Sequence, residues 1–136
     1  MKRIITLLLA CAAFLPVGAL AGEPVRIGVN IPLTGSAADI GSYLLWGVEI
    51  AFAEANAKAG PKFEAVILDD ETSPQKAAEN ARRLIGEEKA VAVLGPANSG
   101  NALAMIPIMQ EAKKPLMILT ARALPLLAGP STATAF

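Results

Sequence analysis

The stretch VLGPANSGNALA, residues 93–104, decides the fold. It leaves an apolar run, breaks at Gly95-Pro96 and resumes as a helical pattern after Ser99. A strand that turns into a helix leaves backbone N–H groups free, and this turn adds a hydroxyl but no acid, base or thiol. Such a set suits holding an anion. The same alternation extends in both directions. VRIGVNI (25–31) is a short β-branched run ended by Pro32 and Gly35, and FEAVILDD (63–70) is a second such run. Between them Leu44, Val48, Ala51, Phe52 and Ala55 recur at helical spacing, which predicts a helix running to about Lys58 and stopping at Gly60-Pro61. Trp46 falls off that stripe and reads as a partly covered surface residue. Pro74 opens a second helix through Ala77, Ala78, Ala81, Leu84 and Ile85, since proline in the first turn costs no hydrogen bond. AVAVLG (90–95), a helix over about 99–112 and PLMILT (115–120) complete the series. This spacing predicts an α/β fold, a doubly wound parallel sheet with helices on both faces.

The N-terminus predicts a compartment. Lys2 and Arg3 precede the apolar run IITLLLACAAFLPVGAL, which ends at Ala19-Leu20-Ala21, the pattern of a secretory signal peptide over residues 1–21 cleaved after Ala21. Pro16 and Gly18 interrupt a run already shorter than the roughly 20 residues of a spanning helix, so no stable membrane insertion is expected after cleavage. Cys11 follows Leu8-Leu9-Ala10, loosely a lipoprotein box, but so early that it leaves too short an apolar region. Its removal leaves no disulfide, thiol nucleophile or thiolate metal site in residues 22–136. Without Lys2 and Arg3 those residues carry a formal charge of about −2, which attracts neither nucleic acid nor an anionic membrane. There is no histidine, so the usual general base and the commonest metal ligand are both missing. No cofactor is expected.

In a doubly wound sheet the ligand lies at the carboxyl ends of the strands, where the strand order reverses. The loops at 32–40, 69–73, 96–101 and 120–124 therefore matter. Thr34, Gly35 and Ser36 read as turn and capping residues. Asp69, Asp70 and Glu71 read either as a phosphoacceptor or Mg²⁺ site, or as acids capping the helix that starts at Pro74, and acids do favour helix N-termini.

Five stretches in order carry a family resemblance: IGVNIPLTGSAADIG, EANAKAG, VILDDETSPQKAAENARRLI, VAVLGPANSGNALAMIPI and KKPLMIL. Together they span about Val25 to Thr120. The chain resembles the extracytoplasmic substrate-binding proteins of branched-chain amino acid ABC transporters, which have the type I periplasmic binding fold. The resemblance implies that the turn at Asn98 and Ser99 binds a ligand carboxylate through the Ser99 hydroxyl and nearby N–H groups. It implies that Ile40, at a position often aromatic in relatives, contacts the ligand side chain. After the fourth strand only Thr120 and Ala121 match residues that hold the ligand, while Arg122 departs from the pattern and reads as solvent-facing. The implied partners are a small ligand, an amino acid or similar carboxylate, and a membrane permease; the implied place is the periplasm. Members have two lobes, so residues 22–136 would form part of the first, in a chain cut at Phe136 while LPLLAGPSTATAF still runs toward a further strand.

Two other classes are weighed against that reading. A phosphoacceptor receiver domain using Asp69 or Asp70 shares the alternating pattern, but a secreted chain has no access to cytoplasmic phosphodonors. A secreted α/β hydrolase with Ser99 as nucleophile would need a G-x-S-x-G elbow and a histidine; Asn98 and Gly100 flank Ser99 instead.

Overall fold

The computed structural model describes residues 22–120 and the strand 133–135. Three alternations of strand and helix lead to two further strands: β1 (Val25–Ile31), α1 (Ala38–Ala57), β2 (Phe63–Asp69), α2 (Pro74–Gly86), β3 (Ala92–Leu94), α3 (Ser99–Glu111), β4 (Leu116–Ile118) and β5 (Ala133–Ala135). The sheet order is β2-β1-β3-β4-β5 and every pairing is parallel. The chain steps from β1 outward to β2, then returns past β1 and continues through β3 and β4. Right-handed crossovers convert that reversal into helices on opposite faces, with the switch point between β1 and β3.

Side-chain alternation divides the core accordingly. On one face Ala77, Ala81 and Leu84 of α2 and Ala102, Met105 and Met109 of α3 pack on Val93, Leu116 and Ile118. On the other, Val48 of α1 closes over Val29 and Ile31, with Leu44, Leu45, Phe52, Ala65 and Ile67 around them. The stripe read from the sequence holds for Leu44, Val48, Phe52 and Ala55, but Ala51 is exposed and Leu45 takes the inner place.

Local chemistry sets the helix ends. Ser73 caps α2, its hydroxyl accepting the Lys76 N–H at 3.3 Å with Pro74 in the first turn. The acids before Pro74 are therefore not the side-chain caps expected of them. Gly41 lets α1 approach β1, since a Cβ there would stand 1.6 Å from the Pro32 carbonyl oxygen. Among the described residues no helix is long and apolar enough to cross a membrane.

Candidate functional site

The loops after β1, β2 and β3 and the end of β4 lie at the carboxyl edge of the sheet, flanking the switch point. The turn after β3 is held tightly. Gly95 has φ +107°, and a Cβ on it would lie 2.0 Å from the Asn30 carbonyl oxygen of β1, so only glycine fits. Its N–H donates to the Met117 carbonyl of β4 at 2.9 Å, and the Gly95-Pro96 bond is cis.

This turn delivers the chain into α3 with Asn98 as the N-cap. The Asn98 Oδ1 accepts the Asn101 N–H at 3.0 Å, and the Asn98 carbonyl accepts the Ala102 N–H at 3.1 Å. The N–H groups of Ser99 and Gly100 have no partner among the described residues, nor does the Ser99 hydroxyl. Two backbone donors and one hydroxyl thus stand at the positive end of a 13-residue helix, a site for a carboxylate or similar anion. Asn98 sits in this turn as the sequence predicts, but its side-chain oxygen holds the helix start and faces inward to it. The Thr120 hydroxyl donates to the Ala97 carbonyl at 2.5 Å, tying the end of β4 to the same turn. Ile40 stands across the switch point in the first turn of α1 and is 48 % exposed. Ala121, Arg122 and the segment 1–21 lie outside the described residues.

The two aspartates after β2 have opposite environments. Asp69 Oδ1 accepts N–H groups from Leu33 at 2.8 Å, Thr34 at 3.2 Å and Glu71 at 2.8 Å, and Oδ2 accepts the Thr34 hydroxyl at 2.6 Å. Partial burial is the largest single influence on this carboxyl and opposes its charge. The Thr34 hydroxyl and the backbone donors together outweigh it, holding Asp69 below the usual carboxylate range. Asp70 is fully buried. Burial pushes its carboxyl up, against the Asn101 side chain and the Thr72 N–H, which favour the charge, and the nearby Asp69 adds to the rise. Asn101 lies near enough to influence Asp70, yet the two are not in hydrogen-bonding geometry: Asp70 Oδ2 and both polar atoms of the Asn101 side chain have no partner among the described residues. Neither aspartate offers an accessible, uncommitted carboxylate to a phosphodonor, which disfavours the receiver reading.

Sequence reasoning missed Asn30, a fully buried amide in the central strand. Its Nδ2 donates to the Ala77 carbonyl at 3.0 Å and meets the Met105 sulfur at 3.2 Å, while its Oδ1 accepts from Asn80, which also donates to the Asp69 carbonyl at 2.8 Å. This network braces β1, β2, α2 and α3 beneath the loops. Its only signal was an amide close to the end of VRIGVNI, on the same side of the strand as Arg26 and Gly28.

A family model described as periplasmic binding protein matches residues 24–135. The Leu/Ile/Val-binding protein homolog 2 of Brucella abortus is 33 % identical over 114 residues, covering 82 % of this chain and 30 % of that protein. Among solved structures, the branched-chain amino acid transporter substrate binding protein LivJ from Streptococcus pneumoniae, in complex with isoleucine, superposes with a TM-score of 0.79 at 29 % identity, covering 83 % of this chain and 33 % of that one. A solute binding protein of an ABC transporter from Rhodopseudomonas palustris, in complex with 3,4-dihydroxybenzoic acid, gives a TM-score of 0.69 at 26 % identity, over 74 % of this chain and 28 % of that one. The chain thus spans about a third of the length of these relatives. The fold, the matched residues and the identities agree: the chain belongs to the periplasmic binding protein family.

Proposed function

We propose that residues 22–136 form the ligand-facing part of the first lobe of an extracytoplasmic solute-binding protein, exported by a signal peptide at 1–21 that is cleaved after Ala21. It captures a branched-chain amino acid or similar small carboxylate for delivery to the membrane permease of an ABC importer, and performs no chemistry. The observation that carries this reading is the start of α3, where the Ser99 hydroxyl and the N–H groups of Ser99 and Gly100 are unpaired among the described residues. Isoleucine and 3,4-dihydroxybenzoic acid, the molecules in two of the related structures, share a carboxylate and little else. In this reading α3 recognises that common group, Ile40 meets the variable part of the ligand, and Thr120 and Ala121 complete the first lobe's contribution. The chemistry available also favours binding over hydrolysis, since Ser99 has no histidine to serve as its base.

A two-lobe protein that binds at about 1 μM gains roughly 8 kcal/mol, and half of that from one lobe corresponds to about 1 mM. Amide NMR of the chain, titrated with isoleucine, leucine or benzoate, tests the site at that strength. The Ser99 and Gly100 resonances are expected to shift saturably with each carboxylate and to remain still with the corresponding primary amides. Absence of those shifts, or equal shifts with the amides, removes the proposed site.

A further inference from the structure

We propose that the outer face of α1 is a dimerisation surface that pairs two copies of this chain antiparallel about a two-fold axis near Ile50. The helix is apolar on two opposite sides. Val48 is buried and Leu44, Leu45 and Phe52 are half-buried toward the sheet, while Tyr43, Trp46 and Ile50 are 68 %, 58 % and 60 % exposed. These three recur at intervals of three and four and continue into the exposed Ala53 and Ala57, forming one stripe directed away from the core. The stripe spans about 21 Å of helix. Tyr43 and Trp46 meet edge to face, ring centroids 5.6 Å apart and planes at 83°, so the large end of the stripe is a single fixed knob. A helix apolar on both sides is ordinarily covered on both.

Three features select a second copy as the cover. The stripe is large at its N-terminal end and small at its C-terminal end, so antiparallel pairing sets Tyr43 over the partner's Ala57 and Trp46 over the partner's Ala53. Ile50 then meets its own counterpart, the self-complementarity that a two-fold interface requires. The charges match the same direction. Asp39 lies in the first turn, whereas Lys58 follows the last and Lys62 donates to the Asn56 and Lys58 carbonyls at that end. Antiparallel pairing brings Asp39 of each copy beside the basic end of the other; parallel pairing would oppose like charges. The exposed part of the stripe offers roughly 500 Å² per copy, or about 1,000 Å² in all, the lower edge of specific association. The dimer is accordingly weak and reversible.

The secreted chain, residues 22–136, which carries no native thiol, provides the test. Sedimentation equilibrium at about 100 μM is expected to show a reversible dimer. Trp46 is the sole tryptophan, and its emission should shift to the blue with rising concentration. Trp46→Glu should raise the dissociation constant by about 30-fold or more. Ala53→Trp, which fills the small end, should do the same while leaving the circular dichroism of the monomer unchanged. Ile50→Cys should oxidise to a covalent dimer about tenfold faster than Glu49→Cys, which lies off the stripe. A monomer at that concentration overturns the proposal, as does a dimer insensitive to both substitutions or equal cross-linking at positions 49 and 50. Trp46 shielded at every dilution also overturns it, because the face is then covered within one chain.

Discussion

The two faces of the sheet are built differently. Under α2 and α3 every inward residue from Ala77 to Met109 that belongs to the core is nearly or fully buried, and Leu84 lies so close to β1 that a Cβ on Gly28 would stand 2.9 Å from its Cδ1. Under α1 only Val29, Ile31 and Val48 reach comparable burial. An open apolar groove of about 280 Å³ runs beside that helix, lined by Ile27, Ala51, Phe52, Ala55, Phe63 and Leu94. It lies toward the amino ends of the strands, away from the ligand loops. The difference teaches where rigidity resides. The helix α3 packs on the closed face and meets the Asn30–Asn80 network at Met105, whereas Ile40 rides on the helix of the open one.

Paired truncations sharpen this most strongly. Leu84→Ala removes a fully buried side chain from a site with no room to collapse, at an expected cost of about 3 kcal/mol. Phe52→Ala removes a half-buried ring already bordering a groove and should cost about 1–2 kcal/mol despite its larger size. Urea denaturation of both variants decides. A Phe52→Ala loss equal to or above that of Leu84→Ala would mean that the two faces contribute alike.

The next expected effect concerns ligand rather than fold. Ser99→Ala deletes one donor to a charged carboxylate, worth about 1.5–3 kcal/mol, so affinity should fall about tenfold or more for every carboxylate tested. Ile40→Ala, on the open face, should weaken isoleucine and benzoate by different factors if, as proposed, it meets the part of the ligand that varies. The NMR titration reads both. Equal losses for all ligands in both variants would erase the division of labour between the faces.

Much of this architecture is legible in the sequence, because periodicity reports which side of an element is wet. The bounds of β1 follow directly from VRIGVNI, and the start of α2 from Pro74. The ends of β3 and β4 do not. AVAVLG reads as a six-residue strand, but only Ala92–Leu94 remain in the ladder, because Gly95 turns to positive φ against Asn30. PLMILT shortens to Leu116–Ile118 in the same way, with Thr120 drawn to the Ala97 carbonyl. Those limits are set by partners on other strands. The site is legible in part: the helix-start turn at Ser99 follows from local order, and the resemblance adds Ile40 and Thr120. The network beneath it is not, since Asn80 reaches Asn30 across fifty positions and no local pattern announces that meeting. Misreading the acids has a similar origin. A capping preference is local, whereas Asp69 spends its oxygens mainly on Leu33 and Thr34.

The smallest expected effect is the most diagnostic, because Asp69 and Asp70 are adjacent residues that face the two different sides. Asp69 ties down the loop that enters α1, and its carboxyl is held below the ordinary value. Its stabilisation is therefore present above the ordinary carboxylate pKa of about 4 and is lost as pH falls through its lowered folded value. Asp70 is buried toward Asn101 and its carboxyl is pushed up, burial being the main cause. The folded chain then binds that proton more tightly than the unfolded chain does. Its stabilisation is full below about pH 4 and is lost as pH rises through the raised folded value. The two contributions oppose each other across neighbouring windows, so the pair should give a shallow maximum of stability near pH 4 and little net slope. Substitution separates them. Relative to the parent, Asp69→Asn should be destabilised increasingly as pH rises from acid to about 4, and then by a constant amount. Asp70→Asn keeps an acceptor for the Thr72 N–H and offers donors to Asn101, so it should gain on the parent as pH rises above 4. Urea denaturation of the three proteins between pH 3 and 7 measures both differences. If the two variants diverge from the parent in the same direction with pH, the aspartates share one environment and the contrast between the faces does not extend to the loops.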